Sequence, residues 1–394
     1  MQKKRLNIAI VTNNYTPYSG GVVSSIDSLV KQLHSLGHKA FIITLDFLGE
    51  QHHDPYYVIR IPSKFRFMYK ENHMAIPIHM TNKLEKIITL LNPDIIHMQH
   101  PFYICKSALN IAKKRNIPTV FTYHTIYEQY LHYVPTPQFL SRPIVKKIAL
   151  SFCKKVNGII APSNYIHNYL INHNITTNIA TIPSGVLPVF IKNQLWKKDT
   201  DVFRLLTVSR FVKEKNITFL LKLFKKLYVQ NQSSASEMQS IQAKRKNRFI
   251  FTLGGYGYEY ENLKKYAYKK LKLSPEMVRF EHMPRKKDIA DLYCKSDLFL
   301  FSSTSDTQGL VLAEAMGCGC PVLALDGPGQ RDIIQNGHNG FLCESETDMI
   351  NKILLIENDR TLQEKLQQGA LATSKQYHPT TMVHKIVKIY RELL

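Results

Sequence analysis

The chain has 394 residues, 44% hydrophobic and 21% charged, an ordinary globular composition too long for one typical core, so two domains are expected. No apolar run reaches the ~18–20 residues that span a bilayer; the basic start MQKKRLNIAIVTNNY has only the short run Ile8–Val11, which reads as a first strand and not a signal peptide. A formal net charge of +22, weighted to the first half (21 Lys+Arg against 8 Asp+Glu over residues 1–196), points to phosphate-bearing partners; without a zinc pattern or an RNA-binding aromatic motif it argues against nucleic acid.

Strand signals recur at helix-length intervals through the first half: Leu6–Val11, Ala40–Thr44, Ile95–His97, Thr119–Thr122, Gly158–Ala161 and Ile179–Ile182, with helical stretches such as Ser24–Leu36 and Asn82–Leu91 between them. This alternation predicts an α/β fold, a parallel sheet with helices on both faces, and directs attention to the loops after the strands. The first such loop, NNYTPYSGGV, brings Gly20-Gly21 to the start of a helix, where backbone can approach a ligand closely. Residues 64–73, KFRFMYKENH, interleave Lys64, Arg66 and Lys70 with Phe65, Phe67, Met68 and Tyr69, which suits a lipid headgroup interface or a solvated loop with its rings packed inward. Arg142–Lys155 is a second cationic stretch with Ile144, Ile148, Leu150 and Phe152 as its apolar members. His97 and His100 form an H-x-x-H pair with no third ligand nearby, so no metal site is expected. His124 follows another strand end, where a histidine could donate a hydrogen bond or orient an acceptor.

The second half begins after a turn-rich, polar boundary at Ser184–Thr200. Strand Phe203–Val208 ends in Ser209-Arg210 and leads through Lys215-Asn216 into helix Ile217–Leu227; both cations can face a diphosphate. Gln230–Lys246 reads as a surface insertion, and strand Phe249–Leu253 meets the close-approach loop Gly254–Gly257. Strand Val278–Glu281 and helix Lys287–Lys295 precede Leu298–Val322, in which an apolar strand runs into a hydroxyl-rich loop, Gly309 opens a helix, and Glu314 lies on it. Free N–H groups at such a helix start make a phosphate or hydroxyl cradle, flanked here by Asp306 and Glu314. Ser374–Leu394 reads as a final helix pair. The six cysteines (Cys105, Cys153, Cys294, Cys318, Cys320, Cys343) lack C-x-x-C spacing and read as free thiols of a reducing compartment.

Taken together, Gly20-Gly21-Val22, Leu36-Gly37-His38, Ala161-Pro162-Ser163, Ser209-Arg210 with Lys215-Asn216, Gly255-x-Gly257, and Gly309 with Glu314-Ala315-Met316, Gly319 and Pro321-Val322 resemble the retaining GT-B glycosyltransferases of family 4 over nearly the whole chain. TYHTIYEQYLHY (Thr122–Tyr133) and TSDTQG (Thr304–Gly309) look especially like the bacterial diacylglycerol glucosyltransferases. The resemblance implies two Rossmann-like domains facing across a cleft. Residues 1–188 would bind the acceptor, residues 189–378 the nucleotide sugar, and a C-terminal helix, 379–394, would cross back to the first domain. It implies that Arg210 and Lys215 hold the donor diphosphate, that Glu314 accepts from the ribose hydroxyls, and that Asp306 touches the donor sugar with N–H groups near Gly309 and Leu310. Gly21 and Gly255 would approach the nucleotide, and His124 would face the sugar or acceptor. Transfer of a hexose, glucose from UDP-glucose, to a membrane lipid such as diacylglycerol is implied, with retention, no cofactor and no metal. Asp306 stands where the family carries Glu, one methylene longer, and Asp332 where a Glu is common.

The same resemblance implies a peripheral protein of the cytoplasmic membrane face, meeting anionic lipid through Lys64–Tyr69 and Arg142–Lys155. The acceptor could instead be lipopolysaccharide, capsule or another glycan; a nucleotide-sugar epimerase and an inactive binding module are the alternatives from other classes.

Overall fold

The computed structural model describes residues 4–18, 20–48, 53–69, 72–129, 138–192, 202–237, 249–282 and 285–394. The chain forms two compact units, Met1–Gly185 together with Pro379–Leu394, and Val186–His378.

In the first unit the apolar runs become strands β1 (Asn7–Val11), β2 (Lys39–Leu45), β3 (Val58–Ile61), the hairpin β4 (Phe65–Tyr69) and β5 (Asn72–Ile76), and β6 (Ile95–Met98), β7 (Thr119–Thr122), β8 (Gly158–Ala161) and β9 (Asn178–Thr181). Between them run α1 (Gly21–Ser35), α2 (Met80–Leu91), α3 (Ile104–Lys114), α4 (Gln138–Cys153) and α5 (Asn164–Asn172). The seven-stranded sheet has the order β3-β2-β1-β6-β7-β8-β9, with every neighbouring pair parallel. Side chains alternate across a strand, so β1 feeds two cores. Ile8 and Ile10 pack with Val23, Ile26 and Val30 of α1 and with Met382, Val383 and Val387 of the C-terminal helix (Pro379–Glu392). Ala9 and Val11 pack on the other face with Leu84, Ile88, Ala108 and Phe121. Burial on both faces is why these strands read as continuous apolar runs.

The second unit contains β10 (Phe203–Arg210), α6 (Ile217–Glu237), β11 (Phe249–Tyr256), α7 (Tyr260–Lys265), β12 (Val278–His282), α8 (Lys286–Lys295), β13 (Leu298–Phe301), α9 (Leu310–Gly317), β14 (Val322–Leu325), α10 (Pro328–Arg331), β15 (Gly340–Cys343), α11 (Glu346–Asn358) and α12 (Arg360–Ser374). Its sheet runs β12-β11-β10-β13-β14-β15, again all parallel. Leu298 and Leu300 enter one core and Phe299 and Phe301 the other. In both sheets the strand order reverses at one place, between β1 and β6 in the first unit and between β10 and β13 in the second. A ligand of such a sheet binds beyond the strand ends at that reversal.

Several local expectations change. The segment read as a loop at 64–73 contains the antiparallel strand pair β4–β5; residues 70 and 71 lie outside the described residues. The expected helix pair at Ser374–Leu394 is a single turn, Lys375–Tyr377, followed by one helix, because Pro379 starts that helix and cannot continue an earlier one. α6 continues to Glu237 through the start of the expected insertion, and residues 238–246 lie outside the described residues. The same holds for 193–200 of the boundary and for 130–137, which includes the end of the Thr122–Tyr133 motif.

Candidate functional site

At the reversal of the second sheet, two loops are tied together by their own backbones. β10 ends in Arg210, and one tight turn, Lys213–Lys215, ends on Asn216 at φ 52°. From the end of β13, the Ser302 hydroxyl donates to the carbonyls of Lys215 (2.8 Å) and Asn216 (3.0 Å), and the Ser303 hydroxyl to that of Glu214 (3.2 Å). The hydroxyl-rich loop expected to offer itself to a ligand thus uses its two buried serines to hold the lysine turn. Lys215 Nζ is thereby set 2.7 and 2.6 Å from the two carboxylate oxygens of Asp306, in a largely buried pair. Arg210 lies beside it, with Nη2 at a looser 3.9 Å from Glu214. Two of the three carrying residues that the resemblance places at the sugar and diphosphate, Lys215 and Asp306, therefore meet directly.

The loop that presents Asp306 is clamped from behind. Gly329 N–H donates to the Asp306 carbonyl at 2.9 Å, and a Cβ on Gly329 would come within 2.8 Å of that oxygen and 2.7 Å of the Gln308 nitrogen. Buried Gln330 donates from Nε2 to the carbonyls of Ser303 and, at 3.3 Å, Leu325. Neither residue stood out in the sequence; the G-P-G-Q run after β14 was the available signal. Gly309 takes φ +66° at the head of α9, no side chain caps that helix, and the first N–H groups, of Leu310 and Val311, have no partner among the described residues. Glu314, four residues on, shares the helix face of Leu310. Burial pushes its carboxyl up from 4.5 to about 8, with Lys286 opposing the shift.

Gly255 has a packing reason to be glycine. At φ +153° its Cβ would fall 1.9 Å from the Ser209 carbonyl, so it lets β11 close on the end of β10 that carries Arg210. Asp332 ends α10.

In the first unit, Gly21 begins α1 with no side-chain cap, and a Cβ there would meet nothing within 4 Å, so the position is open to a close ligand. His124 follows β7, its Nε2 2.7 Å from Gln99 Oε1. The H-x-x-H pair does not converge. His97 bonds Tyr390 OH (2.6 Å) through Nδ1 and Thr122 Oγ1 (2.7 Å) through Nε2, while His100 Nδ1 accepts from the Asn13 N–H (3.3 Å). Among the described residues no three His, Cys, Asp or Glu side chains could hold a metal ion. Burial depresses all three histidines, His97 and His124 to about 3 and His100 to about 4, so each is neutral at pH 7. The six cysteines are buried and none forms a disulfide.

The cationic segments differ from each other. Register pairs Phe65 with Ile76 and Phe67 with Met74, which puts four apolar side chains on one face of the hairpin, exposed by 56%, 45%, 49% and 42%. The opposite face holds Arg66, bonded to the Asp46 carboxylate, and buried Ala75. The rings of Phe65 and Phe67 face solvent and not the core, with Lys64 Nζ 5.8 Å from the Phe65 ring centroid. On α4 the expected apolar set divides. Ile144 and Ile148, with Leu140 one turn earlier, form an exposed stripe, whereas Leu150 packs against the core and Phe152 turns inward against Phe121. No described helix is long and apolar enough to cross a membrane.

Comparison with known proteins matches residues 19–188 to Glycosyltransferase Family 4 and residues 191–372 to Glycosyl transferases group 1. The alpha-monoglucosyldiacylglycerol synthase of Streptococcus pneumoniae is 29% identical over 381 residues, covering 92% of this chain and 82% of its own. The enzyme of that name from Acholeplasma laidlawii is 24% identical, covering 99% and 98%. Among solved structures, sucrose-phosphate synthase from Thermosynechococcus elongatus superposes with a TM-score of 0.75 at 17% identity, covering 99% of each chain. Anabaena HepE in complex with UDP and glucose superposes with a TM-score of 0.73 at 18% identity, covering 99% and 100%. These likenesses establish the GT-B fold.

Because the folded state keeps the Glu314 proton between pH 4.5 and about 8, where the unfolded chain has released it, Glu314 lowers stability progressively as pH rises through that window. Glu314→Gln is expected to raise the thermal midpoint above pH 8, by on the order of 2–4 kcal/mol of stability, with the gain vanishing near pH 4. A midpoint difference independent of pH would contradict a protonated Glu314.

Proposed function

From its membership of the family 4 GT-B glycosyltransferases, we propose that the chain transfers glucose from UDP-glucose to diacylglycerol, with retention of configuration, at the cytoplasmic face of the membrane. The observation that carries the donor half is the β10–β13 reversal, where the loops after the two neighbouring strands carry Arg210 and the Lys215–Asp306 pair, and the second leads into α9 with its open N–H groups and Glu314. The acceptor half rests on the exposed apolar face of a hairpin in a strongly basic chain, a combination that suits anionic lipid, and on the lipid-synthase relatives.

The chemistry follows from charge. The bond between the anomeric carbon and the diphosphate oxygen breaks, and its electron pair leaves on the diphosphate. Arg210, Lys215 and the N–H groups at the start of α9 neutralise the growing charge, so the protein's own donors serve where other transferases employ a metal. The acceptor hydroxyl attacks the same face, and its proton passes to the departing phosphate oxygen. Asp306 partners Lys215 before the donor arrives; the diphosphate then shares that lysine, leaving the carboxylate able to accept from a sugar hydroxyl. Glu314 receives the ribose hydroxyls, which stabilise its charged form, so nucleotide binding at neutral pH releases a proton. A neutral His124 would face the sugar or acceptor without taking part in proton transfer.

Incubation with UDP-glucose and diacylglycerol vesicles, read by mass spectrometry, is expected to give monoglucosyl lipid, at least a hundredfold reduced in Arg210→Ala and Glu314→Ala. Equal activity in those variants would refute the site, and a preference for soluble saccharides would move the acceptor to a glycan. Flotation with anionic vesicles at low salt is expected to carry the protein upward, and Phe65→Asp with Phe67→Asp to weaken it several-fold. A wild-type protein that stays at the bottom would remove the membrane from the account.

A further inference from the structure

The direction in which the Asp306 loop leaves the second sheet is governed by a buried amide. β13 and β14 pair from Phe299 opposite Val322 to Phe301 opposite Ala324. Past that last rung the two chains part, one into the loop that carries Asp306 and the other through Leu325 towards α10. Gln330 of α10 spans the parting. Its Nε2 donates to the Ser303 carbonyl on one side and, at 3.3 Å, to the Leu325 carbonyl on the other. Both hydrogens of one amide nitrogen are used in this way, and the two facing carbonyls fix which end of the side chain is the nitrogen. Gln330 is fully buried and its Oε1 has no partner among the described residues, so the side chain is held there by what it donates.

The amide grips the platform of the lysine turn. Ser303 takes the amide hydrogen at its carbonyl and gives its own hydroxyl to the Glu214 carbonyl at 3.2 Å, while Ser302 beside it holds the carbonyls of Lys215 and Asn216. The path from Gln330 to Lys215 thus runs through Ser303. Its neighbour Gly329 donates from N–H to the Asp306 carbonyl at 2.9 Å, so α10 holds the loop at two points, Ser303 and Asp306. With both ends of the pair held, Lys215 Nζ meets the Asp306 carboxylate at 2.6 Å. Gly327 gives the amide its room. A Cβ there would fall 2.7 Å from Gln330 Nε2 and 2.9 Å from its Oε1, although φ −167° is extended backbone that any residue adopts. The glycine is required by the amide and not by the path of the chain.

We propose that Gln330 is a positioning residue of the donor site: by closing the ends of β13 and β14 it aims Lys215 at Asp306 and holds the ammonium where the donor diphosphate is met. The step to the diphosphate rests on the function proposed above; the hold on the ion pair does not. Crystal structures and calorimetric titration with UDP test it on the full chain. Gln330→Met keeps the volume and removes the donor, and Gly327→Ala pushes the amide off its carbonyls without deleting it. Both structures are expected to show Lys215 and Asp306 parted beyond ion-pair distance, about 4 Å. UDP should bind roughly tenfold more weakly to Gln330→Met, with a smaller loss in Gly327→Ala. In a Lys215→Ala background Gln330→Met should weaken UDP binding less than about twofold, because the lysine that it aims is gone. A merely structural role would weaken it equally in both backgrounds. Should Gln330→Met fail to fold, Gly327→Ala carries the structure and the double-mutant cycle. An intact ion pair in the variants, undiminished UDP binding beside a parted pair, or equal loss in both backgrounds would overturn the proposal. A parted pair in a protein whose wild type binds no UDP would leave Gln330 in place and refute the proposed function.

Discussion

The second unit depends on one ion pair and the ties that aim it. Lys215 and Asp306 are 91 positions apart, yet they meet because β10 and β13 are neighbours and because Ser302 and Ser303 bond the lysine turn to the end of β13. Asp306 offsets the desolvation of the largely buried lysine and holds its ammonium preoriented. The same carboxylate competes with any anion that approaches. The nucleoside diphosphate of the proposed reaction would have to displace or share Asp306, and the same competition would aid release of the product. The aspartate found where the family carries glutamate fits this geometry, since the loop behind it is pinned through Gly329 and no longer side chain is required to reach the lysine.

The first unit follows the opposite electrostatic logic. Its strand ends hold three histidines, and burial keeps all of them neutral. Each bonds at least one uncharged group: hydroxyls of Thr122 and Tyr390 for His97, the Asn13 N–H for His100, and the Gln99 amide for His124. At the β10–β13 reversal of the second unit, by contrast, the largely buried groups are charged, Lys215 with Asp306 and Arg210 with Glu214. Such a division suits a reaction whose developing charge lies on the leaving diphosphate and whose acceptor is an uncharged hydroxyl.

Much of the fold was legible in the sequence because fully buried parallel strands read as unbroken apolar runs, and Leu298–Phe301 and Gly158–Ala161 appear where they were expected. β3 was not, since Val58–Ile61 contains Arg60 and is only half-buried. The hairpin was read as a loop because Phe65–Tyr69 mixes cations with rings; only the pairing register reveals that the rings share a solvent-facing side. Motif residues such as Arg210, Gly309 and Glu314 stood out through spacing. The contacts that hold them did not: the Lys215–Asp306 pair is long-range, Gly329 is required by the backbone opposite it, and Gln99 carries no local pattern. The H-x-x-H pair illustrates the reverse case, a suggestive spacing that the sheet separates, one ring to the C-terminal helix and the other to the β1 loop.

The central claim is that the β10–β13 reversal binds the nucleotide diphosphate. A crystal structure of the full chain soaked with UDP tests it most directly. The account predicts the diphosphate on Arg210, Lys215 and the N–H groups of Leu310 and Val311, the ribose on Glu314, and the Lys215–Asp306 contact opened to admit it. UDP bound elsewhere, or bound with that ion pair undisturbed and Glu314 untouched, would contradict it.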